Sequence, residues 1–316
     1  MEPDGGNGNL AMLGHSLRFS NAYISRRKVG QEDAFYALRG LFSEVFERAS
    51  AHGSATYTTE WWDDESARME AAFLPEPPVD FLRNETLRWE MVATGPGLPA
   101  YELPSLERAY GPDRLLALLE EDLVGRQVLN VAKYHTCINS VHHAYHIHRF
   151  VEATGCDLGG VGAVVEWGGG FGNLAKMLLR WAETPLTYVL IDIPLMSAVQ
   201  WLYLSCVLGP DRVTLLNDKD TPIEAGKVNI LPVGLAEARP PEAELLISTW
   251  ALSESSPEAQ QFVVDHDWFG ARRLLLGYQD SNEKFAAASN VGDIAQAHGA
   301  TIYPIEFMPG GYYAFL

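Results

Sequence analysis

Across residues 16–130, apolar positions recur at helical spacing and are interrupted by proline-rich punctuation. One stripe, Ala34, Leu38, Leu41, Phe42, Val45 and Phe46, predicts a helix over residues 32–51. Residues 115–129 predict a second helix, while LPEPPVD at 74–80 and TGPGLPAYELPS at 94–105 read as loops. The pattern changes near Gly159, where short apolar runs begin to alternate with helical stretches. Strands are predicted over 163–167, 187–193, 228–233, 244–249 and 273–278. Helices are predicted over 172–183, from the second strand to about 208, over 257–266 and over 290–298. Residues 302–307 and 312–316 predict a closing hairpin across 308–311. Such alternation implies a mostly parallel sheet covered on both faces, with the hairpin as an antiparallel edge. The expectation is an α/β protein: a mainly helical N-terminal cap over 1–133, frayed across residues 1–10, and a Rossmann-like unit over 134–316.

Composition narrows the partners. The 316 residues carry 41 acidic against 23 basic side chains, a net charge of −18. Binding to nucleic acid or to an anionic membrane surface requires clustered Lys and Arg, so neither is expected. With 47% hydrophobic residues the chain can build a full core. Cys137, Cys156 and Cys206 are far apart and form no CxxC pair, which fits a reducing compartment. The N-terminus has neither a basic n-region nor an apolar h-region, so no signal peptide is read and a cytoplasmic location is expected. The longest uncharged run, 193–210, approaches the length of a membrane span, but it contains Pro194, Ser197, Gln200 and Ser205 and follows a strand. It reads as a buried helix.

The sharpest local signal is VVEWGGGFGN at 164–173: an apolar strand ending in Glu166, glycines at 168, 170 and 172, then a helix start. Glycine permits a tight turn and leaves no Cβ between main chain and ligand. A dinucleotide site needs GxGxxG aimed at a pyrophosphate, and here the third glycine comes one place early. An acid before the loop suits a ligand with a cationic amino group and no phosphate, such as S-adenosylmethionine (SAM). Asp192, at the end of the second strand, is placed to accept hydrogen bonds from both hydroxyls of a ribose. A dehydrogenase-type nucleotide fold with a variant loop is the competing reading.

From about Gly159 to Leu316 the chain resembles class I SAM-dependent methyltransferases, and within them the bacterial sugar O-methyltransferase family. The segments that carry the resemblance are VVEWGGGFGNLAKML, TYVLIDIP, LLISTWALSES and LLLGYQDSN. It implies that Glu166, Gly168, Gly170 and Gly172, with Asn173, cradle the methionine part of SAM. It further implies that Asp192 binds the ribose, that Ile193 packs on the adenine, and that the loop at Gly234-Leu235 covers its other face, with Thr249 completing the set.

Methyl transfer from a sulfonium is an in-line displacement, and a sugar hydroxyl benefits from a general base. Five of the nine histidines, His135, His142, His143, His146 and His148, crowd into residues 134–149. A helix leading into a parallel strand starts near the strands' carboxyl ends, where ligands bind. Tyr134, His135, Asn139, His142 and His143 should therefore face the site, while His148, His266 and His298 should not. His142 or His143 is the first candidate base, and Tyr134, His135 and Asn139 are candidate acceptor contacts; a polar helix face or satisfied interior histidines is the competing reading. Glu254 is the second candidate base, its alternative being an acid near the helix start at Pro257. Trp250 and Tyr278 are expected to wall the pocket, and Trp61-Trp62 to stack on a sugar or to serve as core anchors. His142 and His146 have metal-ligand spacing without a matching ligand nearby, and Asp280, Glu283 and Glu254 offer oxygens to a divalent ion, but no metal is expected.

The function implied is SAM-dependent O-methylation of a sugar or glycosylated small molecule, of the kind found in natural-product biosynthesis, with the cap choosing the acceptor. The alternatives are N- or O-methylation of a non-sugar metabolite and a catalytically silent scaffold. The partner expected is a small-molecule acceptor, and a homodimer is compatible with the sequence.

Overall fold

The computed structural model describes residues 26–93, 95 and 97–316. The fraying expected over residues 1–10 lies outside them. The N-terminal part folds as helices α1 (Arg26–Leu38), α2 (Phe42–Ser50), α3 (Glu60–Phe73), α4 (Glu85–Met91), α5 (Leu98–Tyr110) and α6 (Pro112–Leu118). Helix α7 (Ile138–Thr154) then leads into β1 (Ala163–Trp167), α8 (Asn173–Trp181), β2 (Thr187–Asp192), α9 (Pro194–Leu208), β3 (Val213–Leu215) and β4 (Val228–Pro232). The chain continues through α10 (Val233–Ala238), β5 (Leu245–Thr249), α11 (Ala251–Glu254), α12 (Pro257–Asp265), β6 (Arg273–Gln279), α13 (Asn290–Ala297), β7 (Thr301–Pro304) and β8 (Gly311–Phe315).

The strands form one eight-stranded sheet in the order β3-β4-β2-β1-β5-β6-β8-β7. All pairings from β3 to β6 are parallel; β8 runs antiparallel to β6 and to β7. This is the mostly parallel, Rossmann-like sheet with a C-terminal antiparallel hairpin that was expected, with the three-residue β3 added at one edge. The chain progresses outward in opposite directions from β1, so the crevice beyond the carboxyl ends of β1, β2 and β5 is the topological switch point.

Period-two alternation sends successive residues to opposite faces, and both faces are buried. Val164, Tyr188, Leu190 and Ile247 belong to one core, and Val165, Val189, Ile191 and Leu246 to the other. The first core also contains Phe35, Phe42, Val45, Met69 and Phe73 from the cap, packed with Ala198, Val199 and Leu202 of α9. The uncharged run at 193–210 is thus a largely buried helix of this chain. Among the described residues no helix is long and apolar enough to cross a membrane.

Two expectations in the cap are corrected. The stretch 94–105, read as a loop, contributes most of α5, which carries Pro104 in its interior. Pro99 lies in the first turn, where its missing N–H has no intrahelical partner to lose. Pro104 does forfeit a bond, and the helix persists because Glu102 and Leu106 are buried on one face, against α7. The helix expected over 115–129 stops at Leu118. There Glu121 and Asp122 turn inward to the buried Lys176, with Arg180 also on Asp122, which a continuous helix cannot arrange. The unforeseen β3 is a short edge strand, too brief to leave a periodic signal.

Candidate active site

At the switch point the strands and the cap enclose a cavity of about 560 Å³. That size suits a small-molecule site. Gly168, Gly169 and Gly170 line it with bare main chain. Gly168 has φ +72, its N–H donates to the Ile191 carbonyl, and a Cβ placed there would lie 2.0 Å from that of Ala251. Gly170, at φ +54, faces Met91 of the cap. Asn173 lines the cavity as well, but Gly172 does not: its Cα packs on Leu204 as the chain turns into α8.

Two carboxyls flank this turn. Glu166 is fully buried and accepts from the Tyr188 hydroxyl at 2.7 Å. Burial, opposed by that hydrogen bond and assisted by the charge of Asp192, pushes its pKa up to about 8. Asp192 accepts from the Ile193 N–H at 2.9 Å and from the Gln200 amide at 2.6 Å. Burial still raises its pKa to about 7, because no cation answers its charge. Ile193, Val233 and Thr249 add walls to this part of the cavity. Leu235, expected here, is on another face: the helix begins directly after Pro232, so Val233 lines the cavity and Leu235, two residues on, enters the core.

The start of α7 supplies Asn139, His142 and His143 to the opposite wall. His142 Nδ1 lies 2.5 Å from Glu102 Oε1, and both side chains are buried. An ionised carboxylate only accepts, so Nδ1 carries the proton and the lone pair sits on Nε2, for which no described residue provides a partner. His143 has the opposite tautomer. Its Nδ1 accepts from the Asn173 amide at 3.0 Å, which leaves the proton on Nε2. Burial first, then the neighbouring His142 ring and the charge of Lys176, lowers its pKa to about 3, so it stays neutral and acts as a donor. One turn below, His146 is fully buried, bonds Tyr313 through Nδ1 at 2.7 Å, and packs edge-on to His142 with ring centroids 4.1 Å apart.

Glu254, Trp62, Trp89 and Trp250 complete the lining with Glu90. Trp250 adopts φ 75, ψ −42, a strained conformation for a large side chain, anchored by its N–H on the Gly277 carbonyl at 2.7 Å. For Glu254, burial and the nearby charge of Glu90 raise the pKa to about 7, against the pull of Lys284 and the Trp62 indole.

Three expected acceptor contacts stand away from the cavity. Tyr134 is buried with its hydroxyl on Glu107 at 2.6 Å. His135 sits in a left-handed turn before α7 begins. Tyr278 points to the other face of β6, where its hydroxyl abuts Gly292 and its ring stacks on Tyr312. His148 bonds Ser105, His266 bonds the Phe262 carbonyl, and His298 packs on Trp268, all outside the cavity. Among the described residues no three His, Cys, Asp or Glu side chains are grouped so as to hold a metal ion. Glu102 was missed because its segment read as a loop.

The raised carboxyl of Glu166 makes a stability prediction. The native state retains a proton that the unfolded chain releases above its ordinary value of 4.5. Its contribution is therefore full below that value and is lost as pH rises through about 8. His143 and His146, held neutral, act in the opposite sense below the ordinary histidine value of 6.5, so the comparison must be differential. Glu166→Gln keeps an acceptor for Tyr188. Its thermal midpoint, relative to the parent without ligand, should climb between pH 5 and 8; a difference that stays flat would refute the burial argument.

No protein-family model matches the chain. No curated protein matches it. Several solved structures are similar to it at low identity. The magnesium protoporphyrin IX methyltransferase of Synechocystis PCC 6803, with bound SAM, is 16% identical, over 68% of this chain and 93% of its own, at a TM-score of 0.38. The mitomycin 7-O-methyltransferase is 17% identical over 78% and 74%, at 0.40. An O-methyltransferase family protein from Burkholderia thailandensis is 11% identical over 96% and 97%, at 0.38.

Proposed function

We propose that this chain is a SAM-dependent O-methyltransferase that acts on a hydroxyl of a sugar or glycosylated small molecule. The observation that carries the reading is that one cavity is lined both by a bare glycine turn beside an uncompensated Asp192 and by His142, which is paired behind the wall with the buried Glu102. Asp192 would accept from the ribose hydroxyls, Ile193 and Val233 would flank the adenine, and the main chain of Gly168–Gly170 would meet the methionine end. When bound, SAM supplies an electrophilic methyl group on a sulfonium.

His142 Nε2 takes the proton of the acceptor hydroxyl, and Glu102 stabilises the imidazolium that results. His143, as a donor, orients the acceptor oxygen rather than deprotonating it. Trp62, Trp89 and Trp250 offer aromatic faces of the kind that pack on sugar rings. The cap closes the cavity from water, which strengthens each of these polar interactions.

Calorimetric titration with S-adenosylhomocysteine (SAH) tests the cofactor half. The parent should bind, and Asp192→Asn should weaken binding about 10- to 100-fold, the loss expected for hydrogen bonds to a charged acceptor. Neither heat nor a thermal shift with SAM or SAH would remove the proposal.

A further inference from the structure

The cavity is lined by the carboxylates of Glu90, Glu166, Asp192 and Glu254, and none of its described lining residues is Lys or Arg. The chain has 23 such cations, so their exclusion from this surface is selective. Glu166 and Asp192 are accounted for by the cofactor reading. Glu90 and Glu254 are not. Neither takes part in an ion pair among the described residues. Their partners are neutral donors: the Trp61 indole on Glu90 at 3.4 Å, and the Gln279 amide on Glu254 at 3.4 Å. Lys284 lies over the Trp61 ring at 3.4 Å from its centroid and acts on Glu254 through its charge without pairing with it.

A second observation in the same cavity points to a ligand. Asn139 is 2% exposed, and its Oδ1 is taken by the Ala93 N–H at 3.0 Å. Its Nδ2 is buried with no partner. An unmet buried donor is costly, and a ligand oxygen would satisfy it.

We propose that the acceptor is a hydroxyl compound bearing a protonated amine, an amino sugar or amino alcohol. Its ammonium is held by Glu90 and Glu254, and one of its oxygens accepts from Asn139. Trp62 and Trp89 line the same cavity, and aromatic rings favour a cation of this kind. The absence of lining Lys and Arg disfavours phosphorylated and carboxylated acceptors, whose charge would meet like charge. This inference rests on the function proposed above, since it assigns Glu166 and Asp192 to the cofactor.

The test uses the full chain saturated with SAH and calorimetric titration with glucosamine, galactosamine and 2-deoxystreptamine, each compared with its N-acetyl form, and with glucosamine 6-phosphate. At least one amine should bind ten-fold or more tightly than its N-acetyl form, with the phosphate weakest. The double variant Glu90→Gln, Glu254→Gln should lose that preference while binding SAH as the parent does. Asn139→Leu should weaken amine and N-acetyl forms alike. SAH binding without any amine preference, a preference that survives the double variant, or tightest binding of the phosphate overturns this inference and leaves the cofactor reading intact. Loss of SAH binding in the parent overturns the cofactor reading instead, and the amine titrations run without SAH then decide this one by the same criteria.

Discussion

Replacing His142 with glutamine should lower methyl transfer by about 10²- to 10⁴-fold, the range that a positioned general base contributes. Glutamine is polar and of similar length but has no lone pair that takes up a proton at neutral pH. The effect should fall on turnover, measured as SAH released with the best acceptor of the amine panel, while SAH affinity changes little. Glu102→Gln should give a smaller loss together with a shifted pH profile, because Glu102 sets the tautomer of His142 at 2.5 Å without itself lining the cavity. Turnover of His142→Gln within twofold of the parent would transfer the role of base elsewhere. Glu254 is the remaining candidate, since its carboxyl lines the same cavity and its pKa is raised to about 7. His143 is a poor substitute. Its Nδ1 is engaged by Asn173, and its pKa near 3 makes it a weak base.

Lys176→Met should destabilise the protein by about 3–5 kcal/mol, the cost of removing one partner from a buried ion cluster. Lys176 is 1% exposed and meets Glu121 at 3.4 Å, Asp122 at 3.5 Å and the Tyr203 hydroxyl at 3.2 Å. Arg180 reaches Asp122 at 2.8 Å, and Gln31 of α1 donates to the same carboxylate at 2.7 Å. Methionine fills the volume but leaves the charge of Glu121 buried and unanswered. Burial by itself would raise both carboxyls; the Lys176 ammonium instead holds them below the ordinary range. Their stabilisation is thus present above that range and is lost as pH falls. Urea unfolding at neutral pH measures the loss, and Lys176→Met combined with Glu121→Gln should recover part of it. A loss below about 1 kcal/mol would show that the cluster is not what fastens the cap to α8.

The two halves of the chain differed in how much their sequence disclosed. From β1 onward, period-two runs of Val, Leu and Ile alternate with amphipathic helices, and the five expected parallel strands appear within a residue or two of their predicted ends. In the cap, proline and glycine suggested breaks that packing overrode, as in α5, and apolar periodicity suggested a continuation that inward-turning Glu121 and Asp122 ended. The site divided in a similar way. Residues of the glycine turn and the strand ends were named from order along the chain, because each occupies a fixed place in a parallel sheet. The polarity of the histidine helix predicts Tyr134 and His135 at the cavity and the end of a strand predicts Tyr278 there, but a turn or a strand face carries each of them away.

What the sequence determined by itself is the sheet, the glycine turn and the end of the histidine helix that faces the ligand crevice. These follow from backbone periodicity and the fixed polarity of β–α–β connections. What only the tertiary structure decided is which groups meet across long separations: Glu102 with His142, Lys176 with Glu121 and Asp122, and Glu90 with Glu254 at one cavity wall. Proton positions, carboxyl pKa values and acceptor preference all depend on those meetings, because burial and charge act through space and not along the chain.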